Sequence, residues 1–168
     1  IQQQEFLGGD VFVGNPGLQM SALKNYDLRL DWTPYESGLF SLSWFRKDVT
    51  NPIEYVQRIG EFPYTTPVNY PEGELTGYEI EFRQQMGRMW DRLDGLTLGA
   101  NATLIESEVT LPADEAAQFD QQNIQAPMRT RDMTNAPEYL YNLFMTYNLG
   151  RLGLEKTDLA LFYTVRGD

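Results

Sequence analysis

A chain of 168 residues is long enough for one domain with a sizeable core, but it has no Cys and no His. That excludes thiolate nucleophiles, a Ser-His-Asp triad, imidazole metal sites and a disulfide framework. The net charge of -11 repels phosphate backbones and makes nucleic acid a poor partner. No apolar run approaches the roughly 18 residues of a membrane helix. No charged-then-apolar leader opens the sequence, and its first residue is Ile1, so it reads as a piece of a longer or processed polypeptide. Aromatics are abundant, with 10 Tyr, 9 Phe and 3 Trp, and they fall inside or near alternating segments.

Asp10 to Val13 is a short strand-like patch, and Gly14-Asn15-Pro16-Gly17 is a strong turn signal. Leu23 to Trp32 alternates: Tyr26, Leu28, Leu30 and Trp32 share one face, and Asn25, Asp27, Arg29 and Asp31 the other. Thr33 to Gly38 is a tight turn, and Leu39 to Val49 the return strand, with Phe40, Leu42 and Trp44 on its apolar face. After Asn51-Pro52, Ile53 to Ile59 either continues that strand past a bulge or starts a loop. Gly60 to Gly73, with Pro63, Pro67 and Pro71, is expected to be long and irregular.

From Thr76 to Arg83, Tyr78, Ile80 and Phe82 face one way and Glu79, Glu81 and Arg83 the other. Gly87 to Asp94 suits one helical turn carrying Met89, Trp90 and Leu93. Leu96, Leu98, Ala100, Ala102 and Leu104 then line one face of a strand running to about Leu111. Pro112 to Met133 is the longest polar connection. Glu138 to Leu149 and Thr157 to Arg166 are the last two strands, joined by a turn at Gly150 to Lys156.

The expectation is an all-β, antiparallel up-and-down meander of about seven strands. Two structures satisfy it. A secreted or surface β-sandwich, acting as an adhesin or carbohydrate-binding module, buries its apolar faces between two sheets about 10 Å apart. A transmembrane barrel turns them toward lipid. The connections alternate short and long, which favours the barrel, and strands of about 10 residues suit the span.

Five segments in order carry a family likeness. They are Gly14-Asn15-Pro16-Gly17-Leu18 with Asn25 to Trp32, Ser41 to Ile53, Gly77 to Phe82, Leu93 to Thr103, and Ala136-Pro137-Glu138-Tyr139 with Asn142 and Tyr147. Together they resemble TonB-dependent outer-membrane receptors over roughly Gly14 to Gly167. The resemblance falls in the C-terminal half of the barrel, so residues 1–168 are expected to be a partial barrel domain without plug or TonB box. It implies a wall segment of a transmembrane barrel of about 22 strands, located in the bacterial outer membrane. It also implies a transporter rather than an enzyme, taking up an iron chelate, cobalamin or glycan with energy from the TonB complex, which engages the missing plug region. The short turns are then periplasmic, and Gly60 to Gly73 and Pro112 to Met133 extracellular.

Tyr64, Asn69 and Tyr70 in one long loop, with Phe119, Gln121 and Gln122 in the other, are the candidate ligand contacts, because aromatic rings and amides suit stacking and hydrogen bonding. The bland alternative is that they pack the loops together. Glu79 and Glu81 suit pairing with Arg29 or Arg83 better than acid-base work. Asp114, Glu115 and Asp120 lack the spacing of a Ca²⁺ loop and read as a solvated acidic stretch. No catalytic group, metal site or cofactor is expected.

Overall fold

The computed structural model describes residues 4–7, 10–119, 128–154 and 156–167. Among these residues the strands are β1 (Gln4–Leu7), β2 (Asp10–Val13), β3 (Ala22–Trp32), β4 (Gly38–Thr50), β5 (Ile53–Ile59) and β6 (Pro63–Asn69). They continue with β7 (Glu72–Gln85), β8 (Leu96–Thr110), β9 (Thr130–Arg131), β10 (Tyr139–Asn148) and β11 (Asp158–Arg166). One α-helix, α1 (Ala113–Phe119), and three short 3₁₀ turns complete the described elements. The seven-stranded sheet runs β11-β10-β8-β7-β4-β3, with β9 paired to β8, so its main path visits strands in chain order.

The expected meander is therefore present, and its members lie within a few residues of the ranges read from alternation. Ile53–Ile59 is not one of them. Asn51 adopts a left-handed φ of 52° ahead of Pro52, which breaks the strand path. The chain leaves the meander and builds a separate four-stranded sheet, ordered β1-β2-β6-β5. There β5 and β6 form an antiparallel hairpin, and β6 runs parallel to β2 at Tyr64 and Thr65.

Gly60 to Gly73 is thus not irregular: most of it is β6 and the start of β7. Pro67 is tolerated in β6 because its carbonyl points to a side chain, accepting from Asn15 Nδ2 at 3.0 Å. Its ring nitrogen lies on that same strand side, where the parallel pairing to β2 has already ended, so no ladder donor is missing. In the other long connection, Ala113–Phe119 is helical and Thr130–Arg131 pairs with Val109 and Thr110.

Two compact units divide the chain. Unit 1 takes residues 1–25, 47–75 and 107–136; unit 2 takes 26–46, 76–106 and 137–168. Unit 1 has a small apolar core of Val56, Tyr70, Val109, Leu111 and Ala116, flanked by Val68 and Met133. Unit 2 is built differently. Most of its large apolar side chains share one face of the meander, and these are uncovered: Leu28 and Leu30 are each 68% exposed, Trp32 63% and Leu161 61%.

The opposite face of unit 2 is polar and internally bonded. Arg29 reaches Asp31 at 2.8 Å and Glu81 at 2.9 Å, and Ser41 Oγ donates to Asp31 at 2.6 Å. Asn142 lies in register with both Asn101 and Thr164. Its amide donates to Asn101 Oδ1 at 2.7 Å and its oxygen accepts from Thr164 Oγ1 at 2.7 Å, a polar row across three strands. One register step on, Phe144 pairs with Gly99 and Phe162. Its ring lies over Gly99, where a Cβ would collide with it. Phe45 covers Gly77 in the same way, so aromatic rings fill the gaps that these two glycines leave.

The short turns close by local chemistry. The β7–β8 connection makes two 3₁₀ turns, Met86–Arg88 and Asp91–Leu93, in place of the single helical turn expected, with Trp90 exposed between them. The β10–β11 turn ends at Gly153 in the left-handed conformation, while Asn148 Oδ1 accepts from Gly150 N.

Candidate functional site

The sequence candidates separate within unit 1. Asn69 and Tyr70 line one cleft of about 440 Å³, together with Asn15, Gly17, Gln19, Asn51 and Pro112. Tyr64 lies elsewhere on β6, its ring packed near Gly60 at the hairpin turn. Phe119 is the last residue of α1, but its side chain lies outside what is described, and Gln121 and Gln122 lie outside the described residues.

Four side-chain amides converge at the cleft, and three of them were not among the sequence candidates. Asn15 and Asn51 read in the sequence as turn punctuation, and Gln19 carried no signal; their convergence depends on pairing across 32 to 52 residues. Asn69 organises them. Gln19 N donates to Asn69 Oδ1 at 2.7 Å, and Asn69 Nδ2 donates to the carbonyls of Gln19 at 3.0 Å and Asn51 at 2.9 Å. The Asn69 amide thus behaves as an extra peptide group that bridges residue 19 to the β4–β5 turn. Asn51 Nδ2 in turn approaches Gln19 Oε1 at 3.4 Å. Asn15 caps its own turn by accepting from Gly17 N at 2.9 Å.

Among the described residues the lining carries no Lys, Arg, Asp or Glu. Such a cleft donates and accepts hydrogen bonds without charge, which suits neutral hydroxyl and carbonyl groups rather than proton transfer.

Behind the cleft stands a buried charged network. Tyr70 is 1% exposed. Its hydroxyl meets both oxygens of Glu115 on α1, at 2.9 and 2.8 Å. The Arg131 guanidinium sits 4.9 Å from the Tyr70 ring centroid, within cation–π range. Arg131 Nη2 also pairs at 3.0 Å with Glu54 Oε2, whose residue is 2% exposed on β5. That same oxygen accepts from Thr134 N at 2.9 Å and from the Thr134 hydroxyl. Three donors on one oxygen replace the water that Glu54 loses on burial. Burial pushes the Tyr70 phenol above its ordinary pKa; Arg131 opposes the shift and Glu115 adds to it. Glu115, read in the sequence as part of a solvated acidic stretch, is committed to this network. Of its two acidic neighbours there, Asp114 shares the first turn of α1 and Asp120 lies outside the described residues.

Unit 2 states the class of protein. Strands of 9 to 15 residues carry an uncovered apolar face opposite a hydrogen-bonded polar face. Lipid satisfies such a face and water does not, which makes this sheet the wall of a transmembrane β-barrel. The profile of the TonB dependent receptor-like β-barrel family matches residues 3–168, and the chain belongs to that family. Its members are outer-membrane receptors and transporters. Comparison with curated proteins and with solved structures returns no match.

Proposed function

We propose that residues 1–168 are part of the barrel domain of an outer-membrane active transporter. It takes up a scarce ligand, an iron chelate, cobalamin or glycan, with energy relayed from the TonB complex through a plug region. The ligand meets the extracellular surface of unit 1, among Tyr64, Asn69, Tyr70, Phe119, Gln121 and Gln122. Within that surface the amide cleft is the point of recognition. Asn69 and the buried Tyr70 hold its walls, while Gln19 and Asn51 present amides to neutral oxygen groups on the ligand. The Arg29–Glu81 and Asn101–Asn142–Thr164 rows line the lumen, and Tyr26, Leu28, Leu30 and Trp32 face lipid.

The observation that carries this reading is the two-faced meander, with side chains such as Leu28 uncovered on one face and polar rows joined on the other. The test is fractionation of the source cells, probed with an antibody to this chain. A band in the outer-membrane fraction, far larger than 19.3 kDa and shifting on boiling, is the expected result. A soluble or secreted band near 19.3 kDa would overturn the proposal. Purified receptor then reports the ligand: Gln19→Ala and Asn51→Ala should weaken binding by about tenfold each through lost hydrogen bonds. Unchanged affinity in both would remove the cleft from the recognition surface.

A further inference from the structure

Tyr70 and Pro112 border the amide cleft, and both belong equally to what lies behind it. Tyr70 carries the bonds to Glu115 and the stacked Arg131. Pro112 begins the helix, since its carbonyl accepts from Ala116 N at 2.9 Å. We infer that Glu54, Arg131, Tyr70 and Glu115 act as a single latch that couples hairpin β5–β6 to helix α1 and so sets the state of the cleft wall. The regulatory half of this inference rests on the cleft being the recognition surface; the latch itself does not.

The geometry argues for one unit rather than four separate contacts. Glu54 and Arg131 are 77 residues apart, and Tyr70 and Glu115 are 45 apart. Arg131 is the shared member, paired to Glu54 through its guanidinium and stacked on Tyr70 through its face. Removing Arg131 takes away the cation among the three described donors to the buried Glu54 carboxylate, leaving the two from Thr134, and uncovers the ring that positions Glu115. Neither end retains its charge balance when the other opens, because a buried carboxylate without its cation is strongly disfavoured. A cleft that fits its ligand only with Tyr70 in place therefore favours the closed latch, and the closed latch favours the ligand to the same degree.

Hydrogen exchange on the receptor in detergent tests this without any ligand. Arg131→Met should speed exchange at both 53–59 and 113–119, on the order of a hundredfold. Glu115→Gln, at the far end, should speed exchange at 130–134 as well as in α1. Should Arg131→Met fail to assemble, Tyr70→Phe keeps the ring and removes only the hydroxyl, and it should give the Glu115→Gln pattern. Changes confined to the element that carries each substitution would overturn the latch. Gln19→Ala separates the two ideas: it should weaken ligand binding and leave exchange at 113–119 unchanged. Full latch coupling with unaltered ligand binding in Gln19→Ala and Asn51→Ala would overturn the role of the cleft, and with it the regulatory half, while leaving the latch standing.

Discussion

Unit 2 and unit 1 solve the burial of polar and apolar groups in opposite ways. In unit 2 most of the large apolar side chains are on the outer face and the polar ones bond to each other on the other, as Leu28 and Arg29 show on successive positions of β3. In unit 1 a small apolar cluster is inside, while Met20, Ile59 and Phe62 stand exposed, and the Glu54 carboxylate is buried beside that cluster against the partly exposed Arg131. The first arrangement needs a non-aqueous neighbour to be stable. The second is self-contained and depends on a handful of specific bonds. Alternation alone builds the first, because a one-residue slip would reverse every side chain of a strand. The second is built by turns and long-range pairs.

The same substitution in the two units gives the sharpest contrast. Arg131→Met should cost about 3–5 kcal/mol of local stability, because Glu54 stays buried without its cation. Arg29→Met removes two contacts of similar length at a half-exposed site, where solvent screens the charges, and should have a far smaller effect. Hydrogen exchange near each site reads both, and equal costs would erase the distinction between the units.

The next effect belongs to the apolar face. Leu28→Arg should destabilise the barrel by roughly 2–4 kcal/mol if position 28 lies near the bilayer midplane, whereas Asp27→Arg should be nearly neutral. Urea unfolding in lipid vesicles measures this pair, and equal penalties would contradict the assignment of faces. On the polar face, Gly99→Ala should cost about 1–3 kcal/mol by forcing the Phe144 ring from its seat. Gly14→Ala, with nothing near the added carbon, serves as its control.

The smallest effect is a pH dependence confined to unit 1. The phenol of Tyr70 has a raised pKa in the folded chain, so its neutral form is the one that folding favours. Its contribution is complete below the unfolded value of about 10 and fades as pH rises through the folded value. Limited proteolysis of the loop segments should therefore be flat through neutrality and increase only at strongly alkaline pH. In Tyr70→Phe that alkaline increase should shrink, and an unchanged increase would assign it to other groups.

Legibility in the sequence follows the same division. Leu23 to Trp32 was readable as a strand because period two holds unbroken from Asn25 to Trp32, and β3 spans Ala22–Trp32. The faces of β7 were readable for the same reason. In unit 1 the signals conflict. Three prolines made residues 60–73 look irregular, yet Pro67 sits in β6 because its ring nitrogen falls beyond the pairing to β2, where no N–H is called for. On β5, Glu54 is buried while Tyr55 is exposed, the reverse of what hydropathy suggests. The partners that make this possible, Arg131 and Thr134, are 77 and 80 residues away. Asn69 was visible as a polar loop residue, but its role as a bridge between residue 19 and the β4–β5 turn required the fold.

The central claim is that the meander of unit 2 separates lipid from an aqueous lumen. A chain without Cys permits a clean test: single cysteine substitutions along residues 26–32, each spin-labelled in the receptor after reconstitution into lipid bilayers. A sheet with lipid on one face and water on the other gives a period of two, with labels at 26, 28, 30 and 32 relaxed by oxygen dissolved in lipid and labels at 27, 29 and 31 relaxed by a water-soluble nickel chelate. Uniform access of the water-soluble reagent at all seven positions, or no alternation, would contradict it.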